Sequence, residues 1–170
     1  MTRNLPAHIT PALDQLSSEY QAALAATTYW AAQDVEMAIS TFSSNIVYRL
    51  FFSRPHNPFV FERIGHEQVR EMLYDALADF DYLNFDATIL EAGHGRVRIQ
   101  SQYTIRHQQT GDELSGTKRY VCEVENGKFT RINEYQDSAI LEAFLKLARW
   151  RMQQDGLAIA FRTVWPLVGR

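Results

Sequence analysis

Apolar residues near both ends of the chain recur at the spacing of amphipathic helices. The step Thr10-Pro11 predicts an N-cap followed by a proline at the first helical position. The next six mostly apolar residues follow at steps of three and four, which places them on one helix face: Leu13, Leu16, Tyr20, Leu24, Thr27 and Trp30. We expect Asp34 to cap a second, short helix, Gly65 to precede a third, and Ser138 to cap a last one.

Between these helices, apolar and polar residues alternate as they do in half-buried strands. The clearest alternation covers residues 96–105, where five residues share one face: Val97, Ile99, Ser101, Tyr103 and Ile105. Such alternation indicates one face on the core and one face that is wet or paired. Further strands are predicted over residues 46–52, 59–64, 83–91, 117–124 and 128–136.

The order of these elements predicts the fold class. Helices and strands are segregated along the chain, which is the α+β pattern. The 170 residues suit one domain, and no repeat or linker divides them. Aromatic residues make up 12% of the chain, a supply that suits a lined pocket. We therefore predict a single domain over 1–170, with helices on a curved antiparallel sheet around a small-molecule pocket.

Charge and composition argue against several classes of function. A net charge of -3 without a basic run gives no footprint for nucleic acid. No apolar run approaches the ~18 residues of a membrane helix, and Met1–Pro11 lacks the pattern of a signal peptide. Cys122 is the only cysteine, so we expect a soluble cytoplasmic protein without a disulfide. The five histidines show no metal-ligand spacing, so no metal site is predicted.

The chain carries five short motifs in a fixed order: Ala32-Gln33-Asp34-Val35, Asn45-Ile46-Val47-Tyr48, Gly65-His66-Glu67-Gln68-Val69-Arg70, Glu125-Asn126-Gly127-Lys128 and Glu134-Tyr135-Gln136-Asp137. In this order and spacing they resemble the SnoaL-like polyketide cyclase and ketosteroid isomerase branch of the nuclear-transport-factor-2-like superfamily.

The resemblance covers roughly residues 15–145 and leaves 146–170 as a C-terminal helical extension. It implies a cone-shaped domain, often dimeric, with a pocket between the concave face of the sheet and the helices. It implies no single function, because one fold hosts many chemistries.

The resemblance also points to Glu134 and Tyr120 as residues that could carry chemistry. In the cyclases, an acidic residue at the place of Glu134 is the catalytic acid/base. Burial in an apolar cavity raises the pKa of a carboxyl group, so that it can exchange protons near neutral pH. The phenol of Tyr120, on the neighbouring strand, could donate a hydrogen bond to a developing oxyanion. The aspartate base and helix tyrosine of the ketosteroid isomerases fall on Leu50 and Ala26, which counts against that reaction.

The register of the last hairpin decides whether Glu134 faces the pocket. A two-residue turn at 126–127 puts Arg119 opposite Glu134, in a surface ion pair worth about 0–1 kcal/mol. A three-residue loop over 125–127 with a glycine bulge instead puts Tyr120 on the same face as Glu134. The residues allow both, and a one-residue slip turns every side chain to the other face. The resemblance favours the bulged loop.

The same interpretation gives the remaining walls of the pocket. Six residues of the first helix and the strands are predicted to face it: Trp30, Tyr48, Tyr103, Lys118, Cys122 and Ile132. A plain core position is the simpler interpretation of each aromatic among them, although pocket walls are built of such residues. Cys122 is interpreted as a buried strand residue rather than a nucleophile, because no histidine is near it in sequence. His56, in the loop before the second strand, could lie at the pocket mouth, and a surface position is the simpler alternative.

The segment after the last helix is apolar nearly all round. Asp155-Gly156 supplies a helix stop, and the residues that follow are expected to be covered by something. Phe161 and Trp165 are predicted to complete the apolar wall of the pocket as a lid. An extension of the core and an arm to a partner subunit are the alternatives.

Three functions fit these observations. The first is an enzyme without cofactor that isomerises, cyclises or dehydrates a small, mostly apolar metabolite. The second is a non-catalytic ligand-binding or dimerisation module, and the third is an accessory subunit resembling the small subunit of ring-hydroxylating dioxygenases. A homodimer is predicted through the outer face of the sheet. The residues expected on that face are Arg98, Gln100, Gln102, Thr104, Val121, Phe129 and Tyr135.

Overall fold

The computed structural model describes residues 16–52 and 59–156. The helices within them are α1 (Ser18–Ala31), α2 (Val35–Ser40), α3 (Gly65–Asp79) and α4 (Ser138–Gln154). The strands are β1 (Phe42–Phe52), β2 (Phe59–Ile64), β3 (Phe80–Gly93), β4 (Arg96–His107), β5 (Glu113–Glu125) and β6 (Lys128–Gln136). No helix in this part of the chain is long and apolar enough to span a membrane.

The six strands form one open sheet in the order β2-β1-β6-β5-β4-β3. Four of the pairings between these strands are antiparallel, and the pairing of β1 with β6 is parallel. The predicted α+β architecture is confirmed, and the sheet, expected to be antiparallel, is mixed through this one parallel pairing. The first and last strands, β1 and β6, are neighbours within the sheet and run in the same direction.

The helix ends follow from local capping. The Ser17 side chain accepts a hydrogen bond from the backbone N–H of Tyr20. Ser17 is therefore the N-cap, and α1 begins at Ser18. That start, Thr10-Pro11, lies outside the described residues. Asp34 caps α2 as predicted.

The cap of the last helix was predicted one residue too late. The carboxylate of Asp137 accepts hydrogen bonds from the backbone N–H groups of Ala139 and Ile140. Asp137 is therefore the N-cap, and Ser138 is the first residue of α4. A carboxylate at this position also interacts favourably with the positive end of the helix dipole.

The core lies between the sheet and the helices. On β4 the alternation is as predicted, with the residues at odd-numbered positions buried and their neighbours more exposed. Helices α3 and α4 each contribute buried apolar residues, and the Phe144 ring of α4 lies against the Phe80 ring of β3. Their buried residues are Val69, Met72, Leu73, Leu141, Phe144, Leu145, Ala148 and Met152.

Candidate functional site

The hairpin that carries Glu134 turns in two residues. Asn126 and Gly127 have φ of 51° and 71°, and Glu125 pairs with Lys128. Both φ values are positive, as a type I′ hairpin turn requires, and Asn-Gly is the dipeptide that favours it. The predicted three-residue loop was therefore wrong.

A bulge farther along β6 nevertheless places Glu134 on the predicted face of the sheet. Val124 pairs with Phe129 but Glu123 pairs with Arg131, so Thr130 is an extra residue on β6. Beyond the bulge, Tyr120 lies opposite Glu134, and the two share one face of the sheet.

The bulge also reverses the predicted orientation of Phe129. Without an extra residue, Phe129 would lie on the face opposite to Glu134. Because Thr130 is inserted between them, Phe129 is buried in the core, and the expectation that it lies on the outer face was wrong.

A cavity of about 130 Å³ lies between the inner face of the sheet and the helices. Tyr120 and Glu134 line it, and so do all six wall residues predicted within the described chain: Trp30, Tyr48, Tyr103, Lys118, Cys122 and Ile132. The other predicted wall residues, His56, Phe161 and Trp165, lie outside the described residues.

Glu134 is the charged centre of this cavity. Glu134 is only 3% exposed. The hydroxyl of Tyr48 donates a hydrogen bond to Oε2 of Glu134 at 2.5 Å, and Nζ of Lys118 lies 2.9 Å from Oε1. A buried carboxylate is costly unless it is paired in this way, so these two partners hold both the charge and the orientation of Glu134.

Lys118 is itself surrounded by aromatic groups. Its ammonium donates a hydrogen bond to the hydroxyl of Tyr82 at 3.3 Å and lies 5.2 Å from the centre of the Tyr103 ring. Burial alone would lower the pKa of Lys118, but the Glu134 carboxylate and the neighbouring phenols outweigh it and hold that pKa well above its usual value. Lys118 therefore stays charged at neutral pH.

The two phenols nearest the carboxylate are held in their protonated form. Burial, and after it the charge of Glu134, raises the pKa of Tyr48 well above its usual value. The same two causes raise the pKa of Tyr120 well above its usual value. Both hydroxyls therefore remain hydrogen-bond donors across the physiological pH range.

A glycine makes room for one wall of the cavity. Gly116 lies opposite Tyr103 in the ladder between β4 and β5. A Cβ on Gly116 would lie 2.7 Å from the Tyr103 hydroxyl oxygen, closer than two such atoms approach without a shift. The absent side chain lets the Tyr103 ring lie over the neighbouring strand.

Cys122 offers no reactive thiolate. Burial, and after it the charge of Glu134, raises the pKa of this thiol far above its usual range. The nucleophile in cysteine chemistry is the thiolate, so this side chain acts as a small apolar wall residue. Within residues 16–52 and 59–156, no group of three His, Cys, Asp or Glu side chains is placed to hold a metal ion.

Solved structures of other proteins share this architecture. A nuclear-transport-factor-2-like protein from Burkholderia xenovorans matches with a TM-score of 0.57 at 18% identity, over 74% of this chain and 94% of that one. A ketosteroid isomerase-like protein from Erwinia carotovora atroseptica matches with a TM-score of 0.56 at 16% identity, over 74% and 98%. A candidate SnoaL-like polyketide cyclase from Mesorhizobium loti matches with a TM-score of 0.56 at 14% identity, over 68% and 97%.

The chain has the nuclear-transport-factor-2-like fold. The resemblance seen in its motifs is thereby confirmed at the level of the fold. No family model and no curated protein matches the sequence.

Leu50 and Ala26, on which the resemblance placed the base and the helix tyrosine of the ketosteroid isomerases, both line the cavity with apolar side chains. Among the described residues that line the cavity, the carboxylate is that of Glu134 on the last strand.

Three polar residues of the site were missed or only partly recognised from the sequence. Tyr48 was interpreted as a wall residue and not as the hydrogen-bond donor to Glu134, and the ion pair formed by Lys118 was not predicted. Gln136 also lines the cavity and was not singled out. Its position two residues after Glu134 on one strand was the available signal, because such residues share a face.

Proposed function

We propose that this protein is an enzyme that moves a proton on a small, mostly apolar metabolite without a cofactor, with Glu134 as general acid/base and Tyr120 as hydrogen-bond donor. The observation that carries the proposal is a nearly fully buried carboxylate on the wall of a cavity lined mainly by apolar and aromatic side chains. The pKa values of three groups around this carboxylate, Lys118, Tyr48 and Tyr120, are all raised well above their usual values. Groups with strongly shifted pKa values are typical of functional sites.

The chemistry would begin with removal of a proton from a carbon next to a carbonyl group. The C–H bond breaks, its electron pair moves toward the carbonyl oxygen, and the proton goes to a carboxylate oxygen of Glu134. A hydrogen bond from Tyr120 stabilises the resulting enolate oxygen. Return of the proton from Glu134 to the γ-carbon of a conjugated enolate gives isomerisation. Transfer of that proton to a departing β-hydroxyl releases water and gives dehydration. Attack of the enolate carbon on a second carbonyl, whose oxygen then takes the proton from Glu134, gives cyclisation.

The other polar residues would position the base. Tyr48 fixes one carboxylate oxygen and Lys118 lies beside the other, so Glu134 cannot rotate freely. A base held in one orientation needs less reorganisation when the substrate arrives. The ammonium of Lys118 also favours negative charge in its surroundings, whether it is on the carboxylate or on the enolate.

A non-catalytic binding module is the second candidate, because both oxygens of Glu134 already have a partner. The Lys118–Glu134 pair is buried and could serve only to fix the strands around a bound ligand. A binding module needs the cavity and its apolar walls, and it needs no exchangeable proton on Glu134.

Proton transfer from a simple ketone separates these two candidates. We expect the wild-type protein to accelerate deuterium exchange at the α-carbons of cyclohexanone in D₂O, followed by proton NMR, and to convert a β,γ-unsaturated cyclohexenone to its conjugated isomer. Glu134→Gln should lower both rates by about 10²–10⁴-fold, because the general base is removed. Tyr120→Phe should lower them by about 10²–10³-fold.

The matched control is Glu123→Gln on the outer face of the same sheet, where the carboxylate is exposed and lies 3.6 Å from Arg131. This variant should keep the wild-type rates. Equal rates in the wild type and Glu134→Gln would refute the proposal. Binding of cyclohexanone without any exchange above buffer would establish the binding module in its place.

We further propose that two copies associate through the outer face of the sheet. Val121 and Tyr135 are exposed there, and the Tyr135 ring stacks on Phe51 with 4.7 Å between ring centres. A mixture of aromatic and polar groups is typical of an interface. Light scattering at micromolar concentration is expected to give the mass of two chains for the wild type and of one chain for Tyr135→Lys. A wild-type mass of one chain would overturn this assignment.

A further inference from the structure

One donor on the cavity wall has no hydrogen-bond partner in the part of the chain that the structure describes. Gln136 is 8% exposed and lines the cavity, and its Nε2 is buried without a hydrogen-bond partner in the structure. The two charged residues that line the cavity, Lys118 and Glu134, are paired with each other. Nε2 of Gln136 is therefore a buried donor that residues 16–52 and 59–156 leave without a hydrogen bond.

An unsatisfied buried donor retains the full penalty of leaving water. Buried polar groups in folded proteins are otherwise hydrogen-bonded, and an exception points to a strained, functional or ligand-binding position. A ligand with an acceptor oxygen at this place would supply the missing hydrogen bond. A ligand of the same shape without that oxygen would leave the penalty in place.

The position of Gln136 relates it directly to the proposed base. Glu134 and Gln136 are two residues apart on β6, so they share the inner face at a Cα separation of about 6.6–6.8 Å. Lys118 lies opposite Gln136 in the β5–β6 ladder. The polar groups therefore form one band across β5 and β6, whereas most of the other residues that line the cavity are apolar or aromatic.

The charge and size of the cavity restrict the ligand further. The charges of Lys118 and Glu134 cancel, so the described walls offer no unpaired cation to a carboxylate or phosphate. The cavity volume of about 130 Å³ is close to the roughly 150 Å³ of an apolar cavity that admits one benzene molecule. A single ring, without a formal charge, matches both limits.

We propose that the cavity binds an uncharged cyclic carbonyl compound of one ring, and that Gln136 selects it by donating a hydrogen bond from Nε2 to the carbonyl oxygen. The proposal deepens the proposed function, since it names the ligand class of the same site. It concerns recognition alone, so it is tested by binding without turnover.

Two probes of equal shape test the hydrogen bond. Cyclohexanone carries the acceptor oxygen, and methylenecyclohexane replaces it with a CH₂ group. We expect the wild-type protein to bind cyclohexanone at least about 5-fold more tightly, as a single buried hydrogen bond would give. Titration followed by protein NMR shifts measures both affinities. The charged probe cyclohexanecarboxylate should bind more weakly than cyclohexanone.

Gln136→Leu should remove the preference for cyclohexanone and leave the affinity for methylenecyclohexane unchanged or higher. Because Nε2 of Gln136 makes no hydrogen bond with the described residues, its replacement by leucine breaks none there. This variant should therefore keep or raise the melting temperature, so that a lost preference for cyclohexanone cannot be due to unfolding. Gln102→Leu, on the exposed side of β4, is the matched control and should keep the wild-type preference.

Equal affinity of the two ring probes for the wild type would overturn the assignment, and so would a preference that survives in Gln136→Leu. Tighter binding of the carboxylate would overturn the restriction to uncharged ligands. The binding test and the test of catalysis can fail independently of each other. The protein can lack proton exchange and still prefer cyclohexanone in a way that depends on Gln136.

Discussion

Replacing Lys118 with methionine is expected to lower the free energy of unfolding by about 3–5 kcal/mol. Methionine keeps most of the length and apolar surface of the lysine stem, but it leaves the Glu134 carboxylate buried without its cation. Lys118 has a side chain that is 12% exposed, so water cannot replace the lost charge. Urea unfolding of the wild type and the variant measures the difference.

The double variant Lys118→Met/Glu134→Gln isolates the ionic part of this loss. Replacing both members of a buried pair is often nearly neutral, so the double variant should regain most of the stability that the single variant loses. Lys146→Met is the surface control, because Lys146 pairs with Glu142 at 2.8 Å in the open and should cost about 0–1 kcal/mol. A loss below about 1 kcal/mol for Lys118→Met would contradict the burial of this pair.

The pH dependence gives an independent check with a definite sign. The pKa of Lys118 in the folded protein lies well above its ordinary value of 10.5. A raised pKa contributes stability that is fully present below the ordinary value and is lost as the pH rises through the folded-state pKa. On the alkaline side, the stability of the wild type relative to the double variant, which lacks both charges, should therefore begin to fall above pH 10.5.

The last hairpin shows how far turn chemistry determines a site. Asn126-Gly127 has the residues of a two-residue turn, and the structure forms that turn. Taken alone, this turn would put Arg119 opposite Glu134 on the outer face. The bulge at Thr130 reverses that outcome, and no residue type demands it. In the sequence, two apolar residues of β6, Phe129 and Ile132, stand an odd number of residues apart. A regular strand would place them on opposite faces, and the bulge allows both to be buried.

The partners of Glu134 show a second limit. Alternation within a strand says which residues of that strand share a face. Lys118 and Tyr120 were grouped with Glu134 only through the resemblance, which favoured a three-residue loop, and the structure reaches the same arrangement through the bulge at Thr130. Alternation does not say which strand lies alongside. The hydrogen bond from Tyr48 joins residues 86 positions apart and exists because β1 runs parallel to β6, a neighbour relation set by the packing of the whole sheet.

Truncating Leu145 to alanine is the second change with a large expected effect, about 2–5 kcal/mol of unfolding free energy. Leu145 is 1% exposed and belongs to the same core as Phe144 and Leu141, all on α4. The truncation removes buried apolar surface and leaves a cavity under the helix. Because Leu141 also lines the ligand cavity, a loosened α4 should weaken the binding of cyclohexanone as well.

Leu147→Ala, two residues farther along α4, is the matched control. Leu147 is 43% exposed, and leucine and alanine have similar helix propensities, so its truncation should change the unfolding free energy by only about 0.5 kcal/mol. The contrast depends only on which face of α4 is buried, because the chemistry of the two substitutions is identical. Equal losses at both positions would mean that Leu147 is also covered in the folded protein, and a negligible loss at Leu145 would contradict the docking of α4 altogether.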